Sequence, residues 1–104
     1  MPKFYGSAYL YTLMSRECRR INVPVEAYRP GDENVDAEMV LGGAYDGLHL
    51  QIGHRSVTIC APTATPLEEG GGLWFIDLAE HKDLKSALDE GLRYAGRDEA
   101  PPSP

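Results

Sequence analysis

A chain of 104 residues buries roughly 65% of its unfolded surface in a single core, which leaves too little for a second domain. Ten Lys and Arg against sixteen Asp and Glu give a formal net charge of −6. The averaged field therefore repels phosphate backbones and anionic lipid heads, and argues against direct binding to nucleic acid or membrane. Hydrophobic residues at 42% and charged residues at 25% are ordinary globular proportions, so most of the chain should fold.

The only cysteines, Cys18 and Cys60, are too few for a disulfide framework and are not spaced as a CxxC metal or redox pair. No apolar run approaches the ~20 residues needed to span a bilayer. Ala8 to Met14 runs straight into Ser15, Arg16 and Glu17, without the long apolar stretch or small-residue cleavage site of an export signal. A soluble, cytoplasmic protein with reduced thiols is expected.

Ser7 can cap a helix, and Leu10, Leu13, Met14, Cys18 and Ile21 then recur at helical spacing, which predicts a helix over Ser7 to Asn22. The run Tyr9 to Leu13 also has strand propensity, so a strand competes with that helix. Arg16, Arg19 and Arg20 form the chain's one basic cluster, and Val23 before Pro24 ends the element. Pro24 to Asp36 reads as a long acidic surface loop with a short edge strand at Val25 to Tyr28.

A three-strand antiparallel meander follows. Asp46-Gly47 has the composition of a type I′ hairpin, which pairs Gly43 with Leu50 and Leu41 with Ile52. A second turn at Gly53-His54 pairs Leu50 with Val57 and Leu48 with Ile59. Met39, Leu41, Tyr45, Leu48, Leu50, Ile52, Val57 and Ile59 then share the buried face, with Glu38, Ala44, His49, Gln51, Thr58 and Cys60 on the other.

Ala61 to Gly72, ending in three glycines, reads as a mobile loop. Leu73 to Leu78 is a fourth strand, apolar on both faces except at Asp77, and therefore expected to be covered on both sides. Leu84, Ala87, Leu88, Gly91, Leu92 and Ala95 mark a final amphipathic helix that Gly96 terminates. The architecture is thus α+β: N-terminal helix, meander, fourth strand, and helices on one face of the sheet. Residues 1–97 make one domain, and 98–104 a disordered Pro-rich tail.

Chemistry-bearing patterns are sparse. Neither Gly42-Gly43 nor Gly70-Gly71-Gly72 carries a phosphate-loop frame, so strand curvature and loop flexibility are their expected roles. His49 and Cys60 lie on neighbouring strands, but two ligands do not make a metal site, and nothing in the sequence lowers the thiol pKa. No cofactor or metal is expected. The carboxylates are more suggestive as a set: Glu26, Asp32, Glu33, Asp36, Glu38, Glu68 and Glu69 lie in or near two loops, with Tyr28 beside the first as an available aromatic contact.

This composition points to a non-enzymatic binding protein, an inhibitor or antagonist whose acidic loops engage a basic, nucleic-acid-handling surface of another protein. Anti-CRISPR inhibitors and toxin-neutralising immunity proteins act in this way, an analogy of size and charge alone. The alternative is a small-molecule-binding or catalytic domain on the polar face around His49, Gln51, Thr58 and Cys60. A third reading is a structural subunit held by an exposed hydrophobic strand edge.

Overall fold

A computed structural model describes residues 5–31 and 36–102. The architecture is α+β: helix α1 (Tyr5–Arg20), strands β1 (Val25–Arg29), β2 (Ala37–Leu41), β3 (His49–Ile52), β4 (Val57–Pro62) and β5 (Leu73–Asp77), then helix α2 (Leu84–Tyr94). The five strands form one antiparallel sheet in sequence order. Met14 and Cys18 of α1 join Leu84, Ala87 and Leu88 of α2 in the same core as Met39, Leu41, Leu50, Ile52, Ile59 and Ile76 of the sheet.

The segment Tyr9 to Leu13 is helical, and its strand propensity yields to the apolar stripe that α1 lays on the sheet. The helix spans Tyr5–Arg20 and not Ser7 to Asn22, so Ser7 lies inside it. Its end is a Schellman motif. Val23 N–H donates to the Cys18 carbonyl at 2.7 Å and Asn22 N–H to that of Arg19 at 3.1 Å. Asn22 takes the left-handed position at φ 60°, and the buried Cys18 and Val23 supply the apolar contact that accompanies this cap.

Both hairpins differ in register from the sequence expectation, yet each keeps its faces. Met39 pairs with Leu50 and Ala37 with Ile52, four positions from the expected pairing of Leu41 with Ile52. The cause is local. Asp46 has φ −55° and ψ 135° and Gly47 has φ 95°, which is a type II turn and not type I′. Its twist does not continue the ladder. Gly42 to Tyr45 instead coil into a short 3₁₀ turn opened by Gly43 at φ 62°. Leu48 N–H then donates to Tyr45, while the Leu48 carbonyl accepts from Leu41 N–H, both at 3.0 Å. The Gly42-Gly43 pair therefore shapes this turn and does not curve a strand.

In the second hairpin Gly53 N–H donates to the Ser56 carbonyl at 2.9 Å, so the two-residue turn is His54-Arg55, one residue later than expected. Leu50 faces Ile59 and Ile52 faces Val57. Both displacements are by an even number of residues, and side chains alternate with period 2, so all eight expected inward residues are buried.

Strand β5 is not covered on both sides. It is an edge strand; Ile76 is buried, but Phe75 is 62% and Leu73 40% exposed. Nor is the β4–β5 connection that precedes it an unstructured run of glycines. Thr63 Oγ1 donates to the carbonyls of Thr65 and Gly72 and accepts from Gly72 N–H. Asp98 accepts from both the N–H and the hydroxyl of Thr65. Gly70, at φ 95°, closes a 3₁₀ turn over Leu67–Glu69. A Cβ on Gly71 would stand 1.6 Å from the Thr65 carbonyl oxygen, whereas one on Gly72 would meet nothing. Gly71→Ala should therefore cost about 2 kcal/mol or more in urea denaturation, and Gly72→Ala under about 1 kcal/mol. Equal effects would contradict this loop geometry.

Candidate functional site

With both helices on one side, the other face of the sheet carries two rows of side chains across all five strands. One row is Arg29, Glu38, Gln51, Thr58 and Asp77; the second is Ala27, Val40, His49, Cys60 and Phe75. At its centre His49 Nδ1 lies 2.8 Å from Glu38 Oε2, and the other Glu38 oxygen lies 3.5 Å from Arg29. Glu38 is thus engaged by two basic groups of its own sheet. It belongs to the uncovered face more than to a free acidic rim.

His49 and Cys60 are direct cross-strand partners, as the sequence suggests. The thiol is nonetheless buried. Its burial, aided by the nearby Glu38 carboxylate, pushes its pKa up to about 11, so at neutral pH it carries its proton and is a poor nucleophile. Cys18 is buried and raised to about 11 in the same way. Among the described residues no three His, Cys, Asp or Glu side chains converge as for a metal ion, and no helix is long and apolar enough to cross a membrane. Comparison with protein-family models, curated proteins and solved structures finds no match.

The acidic set is divided by the topology. The β1–β2 connection, with Asp36, lies at the same end of the sheet as the His54-Arg55 turn. The Asp36 carboxylate oxygens approach to 3.6 Å of a Cβ built on Gly53. Asp32 and Glu33 belong to the same connection but lie outside the described residues. Glu68 and Glu69, exposed in the β4–β5 connection, occupy the opposite end, about 15 Å away along strands of this length. Tyr28 is on the helix-facing side of β1. It is 41% exposed, but its ring stacks on Tyr11 at 3.8 Å between centroids, so one face of it is already occupied.

The basic cluster is likewise reduced. Arg20 forks onto Glu17 at 2.8 Å, while Arg16 and Arg19 stand exposed. Near the Glu68 end, Thr63, Thr65, Gly70 to Trp74 and Asp98 line an open groove of about 500 Å³. The hydroxyls of both threonines and the Asp98 carboxylate are already bonded within it. Sequence reasoning missed this closure, because the partner of Thr65 lies 33 residues away.

Both cysteines have a pKa raised on folding, so their stabilisation is complete below pH 9 and is lost as pH rises toward about 11. Unfolding free energy should fall over that window, and the Cys18→Ala, Cys60→Ala double variant should flatten the fall. In the native protein at pH 8, neither thiol should react with Ellman's reagent until the chain unfolds; rapid modification of Cys60 would contradict a buried, protonated thiol.

Proposed function

We propose that this chain is a non-enzymatic acidic binding protein, an inhibitor or antagonist that occludes a basic, nucleic-acid-handling surface of a partner protein. The reading is supported by a single feature above others: Asp36 stands at one end of the sheet, in a connection whose sequence also carries Asp32 and Glu33. Asp36 is exposed there and makes no ion pair with another described residue. Carboxylates held this way can stand where phosphates would otherwise sit. The net charge of −6 steers the protein toward a basic surface before contact.

Glu38 borders this end on the uncovered sheet face. Arg29 and His49 orient its carboxylate, so a partner's cation meets a pre-positioned group and less side-chain freedom is lost on docking. Glu68 and Glu69 would touch only a partner large enough to reach the opposite end, and Tyr28 would offer the outer side of its stacked ring. The mechanism is steric and electrostatic occlusion, with another protein as partner and no direct contact to nucleic acid or membrane. A cytoplasmic setting accords with the two reduced, buried thiols.

The test is capture of the partner from nuclease-treated extract of the native host, followed by competition against nucleic acid for the captured protein. Binding should weaken at least about 10-fold between 0.05 and 0.5 M salt and about 100-fold or more in the Asp32→Lys, Glu33→Lys, Asp36→Lys triple variant. Glu68→Lys with Glu69→Lys should cost far less. Affinity indifferent to salt and to the triple reversal would refute the proposal.

A further inference from the structure

The two edges of the sheet are unequal. Edge strand β1 is flanked by Pro24 and Pro30, and its register shifts between Val25 and Ala27. Prolines, charges and bulges of this kind block strand addition. Strand β5, Leu73-Trp74-Phe75-Ile76-Asp77, has no proline, no basic residue and no recorded register shift.

The direction of its backbone groups follows from the ladder. Thr63 N–H donates to the Gly72 carbonyl, and the carbonyl of Pro62, the partner of Leu73, is turned away to accept from Gly96 N–H. Hydrogen-bonded rungs alternate in an antiparallel pair, so Trp74 and Ile76 bond to β4. The N–H and C=O groups of Leu73, Phe75 and Asp77 therefore point away from the sheet. Among the described residues Leu73 and Phe75 make no backbone hydrogen bond outside it, whereas the Asp77 carbonyl opens the 3₁₀ turn Leu78–Glu80.

We infer that β5 is a self-association edge, and that two copies join antiparallel through it about a two-fold axis at Phe75 to make one continuous ten-stranded sheet. Phe75 then faces its own copy, and Leu73 faces Asp77 of the second copy. The outward groups of Phe75, the Asp77 N–H and the Leu73 carbonyl pair in about four backbone hydrogen bonds. No like charges meet on these rungs. The axis is perpendicular to the sheet, so both phenyl rings lie on the uncovered face with Cα atoms about 5.5 Å apart, covering each other's exposed surface.

The flanks offer one pair of opposite charges. Arg97, whose carbonyl accepts from Trp74 Nε1, sits exposed near the start of β5, and Glu80 stands exposed just beyond its end. Antiparallel pairing brings each Arg97 toward the second copy's Glu80. Asp36 lies toward the opposite edge of each sheet and remains free in the dimer.

Sedimentation equilibrium between roughly 5 and 500 µM should show the mass rising from 11.4 kDa toward twice that value, as expected for a micromolar dimer. Phe75→Lys and Phe75→Pro should each remain monomeric; the proline removes only an outward N–H, and circular dichroism would verify the retained fold. Hydrogen exchange of the unmodified protein gives an independent reading. The amides of Leu73, Phe75 and Asp77 should gain protection with concentration, while those of Trp74 and Ile76 stay protected throughout. A monomer across the whole range would overturn the inference, as would a dimer that both variants leave intact or protection gained instead along β1.

Discussion

Successive side chains of a strand point to opposite faces, and here every strand but one edge commits its alternate residues to the same core. Met39, Leu41, Leu50, Ile52 and Ile59 are fully buried. Burying each such side chain contributes roughly 1.5–3 kcal/mol. A shift by one residue in any central strand would expose that set and bury Glu38, Gln51 and Thr58 instead, so the faces are fixed far more firmly than the turns. The helices follow from this. Once one face is apolar, α1 and α2 have one place to lay their stripes, and Gly91, where a Cβ would meet Ile59 at 3.0 Å, lets α2 settle closely upon it.

What remains outside the core is set by the same alternation. The second face is left to a mixed row of polar and apolar groups, in which Cys60 is buried by its strand neighbours and Glu38 is tied to His49 and Arg29. Strand topology sends the acidic connections to opposite ends of the sheet, and a meander in sequence order necessarily leaves two open edges. The proposed basic partner at one end and the proposed second copy along β5 would therefore use separate surfaces. Tyr45 links these levels: buried in the β2–β3 turn, its hydroxyl donates to Asp89 of α2 at 2.5 Å, and Asp89 in turn receives Lys85. That hydroxyl bond is the main reason the Asp89 carboxyl is held below its usual range.

The inward residues and the C-terminal helix are legible in the sequence because periodicity reports burial directly. The pairing of His49 with Cys60 is legible for the same reason. Register within that parity is not, since Asp46-Gly47 satisfies two turn types and only the coiling of Gly42 to Tyr45 decides between them. The exposed side of β5 is hidden because Leu73 and Phe75 have core-like composition at an edge. The closed form of the Gly70 to Gly72 loop depends on Thr63 and Asp98, contacts without a local signal. The acidic residues can be named from sequence, but their separation into two ends follows only from strand order.

The central functional claim is that a basic surface docks at the β1–β2 end. Amide chemical-shift mapping with a basic polypeptide as a stand-in for the partner surface addresses it most directly. The account predicts perturbations concentrated in residues 30–38 and in the adjoining turn at residues 53–56, fading in high salt. Perturbations confined to residues 63–72, or spread evenly over the exposed carboxylates, would contradict it.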